Sequence, residues 1–100
     1  MIGFDAVVLR IDGLDAADLT RWIDNDWVRP QGPLGDWRFQ EIDVARARLI
    51  CELRDDLRID EDTMPVVLLL LDQLYRLRRQ MHELGSALER RPDIIQGDRP

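Results

Sequence analysis

The stretch VLLLLDQLYRLRRQMHELGSAL, residues 67–88, carries the longest unbroken periodicity in this 100-residue chain. Val67, Leu70, Leu74, Leu77, Met81, Leu84 and Leu88 follow one another at alternating spacings of three and four. That is the a/d pattern of a helix over three heptads, with Val67, Leu74, Met81 and Leu88 at a, and Leu70, Leu77 and Leu84 at d. Val66, Leu68, Leu69 and Leu71 make the first half apolar nearly all round, so it needs cover on several sides, whereas the second half needs to hide only its stripe. A chain of this length has little left to cover such a seam. A second copy is therefore the expected partner, and an internal helical hairpin with residues 41–57 is the alternative. Tyr75 falls at b, off the seam, and Arg76, Arg78 and Arg79 read as flanking charges. Gly85 weakens the helix near its end and Pro92 stops it. The expected dimerisation helix is residues 63–91, followed by a disordered tail over 92–100.

Upstream, Asp60-Glu61-Asp62-Thr63 offers two N-caps for this helix, Asp60 or Thr63, and Pro65 fits if it lies in the first turn. A helix is expected from about Glu41 to Leu57, with Ile42, Ala45, Leu49, Leu53 and Leu57 as its apolar stripe and Arg46, Arg48 and Arg54 mostly off it. Cys51, mid-helix, reads as a small core residue. Pro30, Gly32, Pro33 and Gly35 break the chain, and Val28-Arg29 and Trp37-Arg38-Phe39 on either side are expected to pair as a small hairpin. Before that, Asp15 is a helix N-cap with Asp18 at N3, and Leu19, Trp22 and Ile23 give about three turns up to Asn25. Asp26 stands where the exit turn calls for a left-handed residue, which Asp tolerates better than most. Residues 4–11, FDAVVLRI, are too short a run for periodicity to choose between helix and strand. Of the large aromatics Trp22, Trp27 and Trp37, two are expected in the core and one is a possible exposed anchor.

Composition narrows the chemistry. Apolar residues make up 45% and charged residues 34%, which suits a folded chain. Every basic residue is Arg. Cys51 and His82 are the only residues of their kinds, which excludes a disulfide framework, a Cys/His metal site and a Cys–His or Ser–His nucleophile pair within one chain. No glycine-rich phosphate loop is present. The reading is a binding protein and not an enzyme, with no cofactor and no metal. The N-terminus lacks the pattern of a signal peptide and the longest apolar run, Val66–Leu71, is far short of the ~20 residues of a membrane span, so a cytoplasmic location is expected.

The charge is uneven. Residues 1–62 hold eight Arg and fifteen acids, while residues 63–100 hold six Arg and five acids. An acidic region repels phosphate and attracts basic protein surfaces. Asp55, Asp56, Asp60, Glu61 and Asp62 crowd one helix–helix corner and are the first candidates for contact with a basic partner. Asp24 and Asp26 join them, because they sit at a helix C-terminus where the dipole disfavours negative charge and local stability gains nothing from them.

The order of elements, with residues 1–62 as one domain, is that of a mainly α winged helix-turn-helix followed by a long dimerisation helix. LTRWIDNDWVRP, residues 19–30, resembles the second helix and exit turn of MerR-like regulators, and Trp37-Arg38-Phe39 stands at the place of that family's aromatic wing strand. LRDDLRID (53–60), then a five-residue link and a Leu-rich run into LLDQL (70–74) and Leu77-Arg78, is similar to the CbpM-type chaperone modulators of the same superfamily, over roughly residues 5–88. The resemblance implies a homodimer, with an antiparallel arm, that binds the J-domain of a CbpA- or DnaJ-like co-chaperone and inhibits it. The alternative is a MerR-like DNA-binding transcriptional regulator. Residues 15–27 speak against it: Asp15, Asp18, Asp24 and Asp26 face a single base, Arg21, whereas a groove-reading helix needs Arg or Lys for phosphates and guanine edges. DNA is therefore not the expected partner, and neither is a membrane.

Overall fold

The computed structural model describes residues 1–89, and the expected tail over 92–100 and residues 90–91 of the expected helix lie outside them. Among the described residues the chain is mainly helical: β1 (Ile2–Gly3), α1 (Phe4–Arg10), α2 (Ala16–Asp24), β2 (Arg38–Phe39), α3 (Glu41–Asp55) and α4 (Met64–Glu89) follow in that order. It divides into two units, Met1–Pro65 and the stretch from Val66 on.

In the first unit, residues 4–10 resolve as helix, capped by the extended Gly3 and Ile11. Asp12-Gly13 then turns the chain; Gly13 sits at φ +85, and a Cβ there would lie 3.1 Å from an Asp55 carboxylate oxygen, so the position favours glycine. The start of α2 has the expected N-cap, Asp15, and closes on it as a capping box. The Asp18 N–H donates to Asp15 Oδ1 at 2.8 Å, and the Asp18 carboxylate takes the Asp15 N–H in return. Its end is a Schellman motif. The Trp27 N–H reaches the Trp22 carbonyl at 2.9 Å and the Asp26 N–H the Ile23 carbonyl at 3.0 Å, with Asp26 left-handed at φ 62.

The expected hairpin is corrected. β2 pairs antiparallel with β1, Ile2 opposite Phe39 and Gly3 opposite Arg38. On its other side Arg38 forms a single bridge with Gln31, not with Val28-Arg29. Val28 is buried in the core and Pro30 has no N–H to donate, so pairing begins at Gln31, where the chain has cleared both.

The inward face of α3 is also corrected. Of the expected stripe only Leu53 is buried. Ile42 and Leu57 are 69% and 67% exposed, Ala45 is exposed and Leu49 half-buried. Val44, Ala47, Ile50, Cys51 and Leu53 face the core instead, about a third of a turn away. That face sets Ile50 and Leu53, with the smaller Val44, Ala47 and Cys51 between them, in the core that the rings of Trp22, Trp27 and Phe39 share. The same rotation brings two of the arginines inward. Arg46 Nε donates to the Trp27 carbonyl, and Arg54 lies over the Trp22 ring at 5.4 Å. Trp37, the third tryptophan, is half-buried. Truncating a fully buried side chain such as Leu19 to Ala costs about 2–5 kcal/mol in cores of this kind.

α4 begins at Met64 with Pro65 in its first turn, as the sequence requires. Asp60 prepares the start: its Oδ1 accepts the Thr63 N–H at 2.8 Å and its carbonyl accepts the Met64 N–H at 3.0 Å. In the second unit the seam is uncovered. Leu70, Leu74, Leu77, Met81, Leu84 and Leu88 are 47–65% exposed, and Val67 is half-buried. Off the seam, Val66, Leu69 and Tyr75 are exposed as well.

Candidate partner-binding site

The seven acids singled out in the sequence do not act as one group. Three are engaged by their own chain. Glu61 grips Arg21 with both oxygens, at 2.8 Å from Nε and 2.5 Å from Nη2, and also accepts the Trp22 indole N–H at 3.4 Å. Asp55 takes Arg54 Nε at 2.9 Å and Nη2 at 3.3 Å. Asp60 serves the turn before α4. All three carboxyls are held below the usual carboxylate range, Glu61 by the Arg21 hydrogen bond, Asp55 by the Arg54 hydrogen bond and Asp60 by the backbone N–H of Thr63.

Glu61 and Asp55 are the two ends of one chain of charges: Glu61, Arg21, Asp18, Arg54, Asp55. Asp18 is its centre. Its Oδ1 accepts Arg21 Nη2 at 2.9 Å, its Oδ2 lies 2.9 Å from Arg54 Nη1, and only 14% of its side chain is exposed. Burial pushes the Asp18 carboxyl up, but the hydrogen bonds from Arg54 and Arg21 outweigh it and the net shift is downward. Arg54 also donates to the Gly13 carbonyl at 2.9 Å, tying α3 to the turn before α2. The sequence signalled part of this, since Asp18 and Arg21 stand three apart on one helix face. Nothing in the sequence points from Arg54 to Asp18 across 36 positions, and Arg54 and Trp22 went unnoticed as members of the group.

The other four acids are free. Asp24, Asp26, Asp56 and Asp62 are exposed and form no ion pair among the described residues. Asp24 ends α2 and Asp56 caps α3 at helix C-termini, where the dipole works against them. Asp56 borders a depression of about 290 Å³ with Asp12, Glu52 and Asp55 as its acids and Arg10 and Arg48 as its bases. Arg10 is itself bound by both oxygens of Glu41 at 3.1 Å. Cys51 borders the same depression but is buried, and burial pushes its thiol up to about 11, so it remains a protonated, unreactive side chain.

A second and larger depression, of about 490 Å³, lies between the start of α1 and the loop before β2. Phe4 and Trp37 both line it, with their ring centroids 5.9 Å apart. Asp5, Asp36 and Arg38 supply its charges. No group of three or more His, Cys, Asp or Glu side chains among the described residues is placed to hold a metal ion, and no helix is long and apolar enough to cross a membrane. No protein-family model matches the sequence, and neither the curated proteins nor the solved structures contain a match to it.

Proposed function

We propose that this protein is a non-catalytic adaptor. Two copies join through α4, and the acidic first unit of each masks a basic face on another protein. The resemblance to CbpM-type modulators names that protein as a DnaJ- or CbpA-like J-domain co-chaperone, and masking as inhibition. On this reading the first unit is a MerR-like winged helix-turn-helix put to use on protein, with α1 and α2 as the helical pair and β2 as the wing.

The observation that carries the proposal is the uncovered seam of α4. Six large apolar side chains at strict heptad spacing stand about half exposed or more along some 30 Å of helix. Monomers rarely leave such a continuous apolar surface to water. The sign of the partner follows from the four unpaired acids, of which Asp24 and Asp56 stand against a helix dipole, and all four would gain charge-assisted hydrogen bonds from a basic surface. Against nucleic acid, the only base in α2 is Arg21, and both Asp18 and Glu61 already hold it.

The deciding experiment measures the mass of the protein by sedimentation and its retention of a J-domain and of duplex DNA, at about 50 and 150 mM salt. A dimer that retains the J-domain at both and ignores duplex at both is the expected result. A monomer, or a protein that holds duplex in a salt-sensitive way and leaves the J-domain in solution, overturns the proposal.

A further inference from the structure

We infer that the cleft walled by Phe4 and Trp37 is a seat for a cationic side chain, an arginine or lysine presented by a basic partner protein. Three features of the cleft converge on that chemistry. Two aromatic rings line one depression, and a guanidinium or ammonium is drawn to aromatic faces. Two carboxylates, Asp5 and Asp36, line it as well, in a region of the sequence whose acids outnumber its bases by fifteen to eight. A purely apolar occupant would strip water from both carboxylates and return nothing, and an anionic one would be repelled. Finally, the cleft already holds a guanidinium of its own: Arg38 Nη2 lies 3.4 Å from Asp36 Oδ1, with both side chains more than half exposed. A pair so open to water is weak and exchangeable, so an incoming cation can take the place of Arg38.

The rim is built to hold its shape. Gly32 sits at φ +92, where a Cβ would meet the Asp36 carbonyl at 2.7 Å, and the Asp36 N–H closes the turn on the Pro33 carbonyl at 3.0 Å. That turn carries Leu34, which lines the cleft and is 82% exposed. An arginine or lysine has an aliphatic stem as well as a charge, and Leu34 is placed to cover the stem while the carboxylates take the head. At about 490 Å³ the cleft has room for one long side chain.

This inference deepens the adaptor reading, on which the identity of the partner rests; the seat itself does not depend on it. The test is a titration of the full chain with a blocked tetra-arginine peptide and, in parallel, its tetra-citrulline counterpart, which has the same shape and no charge. Amide and indole resonances report the site. Arginine is expected to shift the Trp37 indole and the Phe4 and Asp36 amides to saturation, and citrulline to leave them in place. Trp37→Leu, and separately Asp5→Asn with Asp36→Asn, weaken binding about tenfold. The paired Asn variant changes only surface carboxylates, so it decides the matter if the Trp37 variant fails to fold. Arg38→Gln removes the internal competitor and tightens binding about threefold, while Arg29→Gln, the same change of charge at an exposed residue that lines neither depression, leaves it within about twofold. Shifts confined to residues 55–62, equal response to citrulline, or wild-type affinity in the paired Asn variant would overturn the inference. If the paired Asn variant binds the peptide as wild type does and still retains a J-domain, the seat fails and the adaptor reading stands. If the peptide binds at the cleft and no J-domain is retained, the reverse holds.

Discussion

Truncating Arg54 to Ala removes four things at once: an ion pair to Asp18, one to Asp55, a hydrogen bond to the Gly13 carbonyl and a cation over the Trp22 ring. The Asp55 pair is between sequence neighbours on an exposed surface and adds little. The Asp18 pair is different, because only 23% of the Arg54 side chain and 14% of the Asp18 side chain remain exposed. Loss of Arg54 leaves a largely covered carboxylate with Arg21 as its one remaining ion-pair partner and the Asp15 N–H as a long hydrogen bond. Fully exposed pairs are worth under about 1 kcal/mol and fully buried ones cost about 3–5 kcal/mol to break, and this pair lies between them. With the carbonyl and the ring included, Arg54→Ala should cost about 2–3 kcal/mol. For a domain of this size that lowers the melting temperature by roughly 10–20 °C. The control is Arg10→Ala. Arg10 also makes a two-pronged pair, to Glu41, and its geometry is as regular, but its side chain is 42% exposed and its partner's 73%. Urea denaturation of both variants, followed by tryptophan fluorescence, checks the difference. If the two cost the same, burial is not what gives the Arg54 group its strength, and the reasoning is refuted.

Leu77→Glu places a charge in the middle of the α4 seam at a residue already 53% exposed within its own chain, so it should convert a dimer to monomer in sedimentation while leaving the circular dichroism of the first unit unchanged. An unaltered mass would show that the seam is not the interface. Arg58 holds φ 55, a left-handed conformation without a glycine, so Arg58→Gly should raise stability by about 1 kcal/mol in thermal melts; Asp26→Gly at φ 62 should gain less, because Asp tolerates that region better. Acid should weaken the fold. Asp18, Asp55, Asp60 and Glu61 all titrate below their ordinary values in the folded chain, so the unfolded chain takes up protons first, and the stability they contribute is present above about pH 5 and lost as pH falls toward 2. A urea midpoint equal at pH 3 and pH 7 would contradict this, and Asp18→Asn should flatten the acid limb.

How far the sequence could be read depended on how long each signal ran. In α4 the heptad spacing repeats often enough that its phase and its uncovered seam were legible, and Pro65 placed its start within a turn while Asp60 and Thr63 both stayed open as the cap. In α2 the information was chemical: Asp15 marks the N-cap and Asp26 a left-handed exit, while the reciprocal bond from Asp18 came only with the fold. α3 carried two competing apolar faces. Ile42 stands in the first turn of α3 and Leu57 beyond its last residue, Asp55, and both side chains remain in water. Val44, Ala47 and Cys51 are smaller and fit against the rings of the core. Pattern weighs every apolar residue alike, whereas the fold decides which of two apolar faces meets the core. β1 is two residues long, and no alternation can be read from two residues.

The candidate site shows the same limit in electrostatic form. A block of five acids at residues 55–62 reads as a face for a basic partner, because sequence gives the number of charges and not where their counter-charges are. In the folded chain Asp55, Asp60 and Glu61 have local work: they hold Arg54, the turn before α4, and Arg21. An acid already engaged has part of its charge balanced by its own chain, so it gains less from a partner than an unpaired one. Asp24, Asp26, Asp56 and Asp62 give up only water. The same reasoning separates the two depressions. The smaller one balances its acids with Arg10 and Arg48, whereas the larger one sets Asp5 and Asp36 against Arg38 alone and adds two aromatic faces. A basic partner therefore gains most from the free acids and the aromatic cleft, and a scan of charge reversals should rank Asp56→Arg and Asp36→Arg above Glu61→Arg once the loss of stability in the last is subtracted.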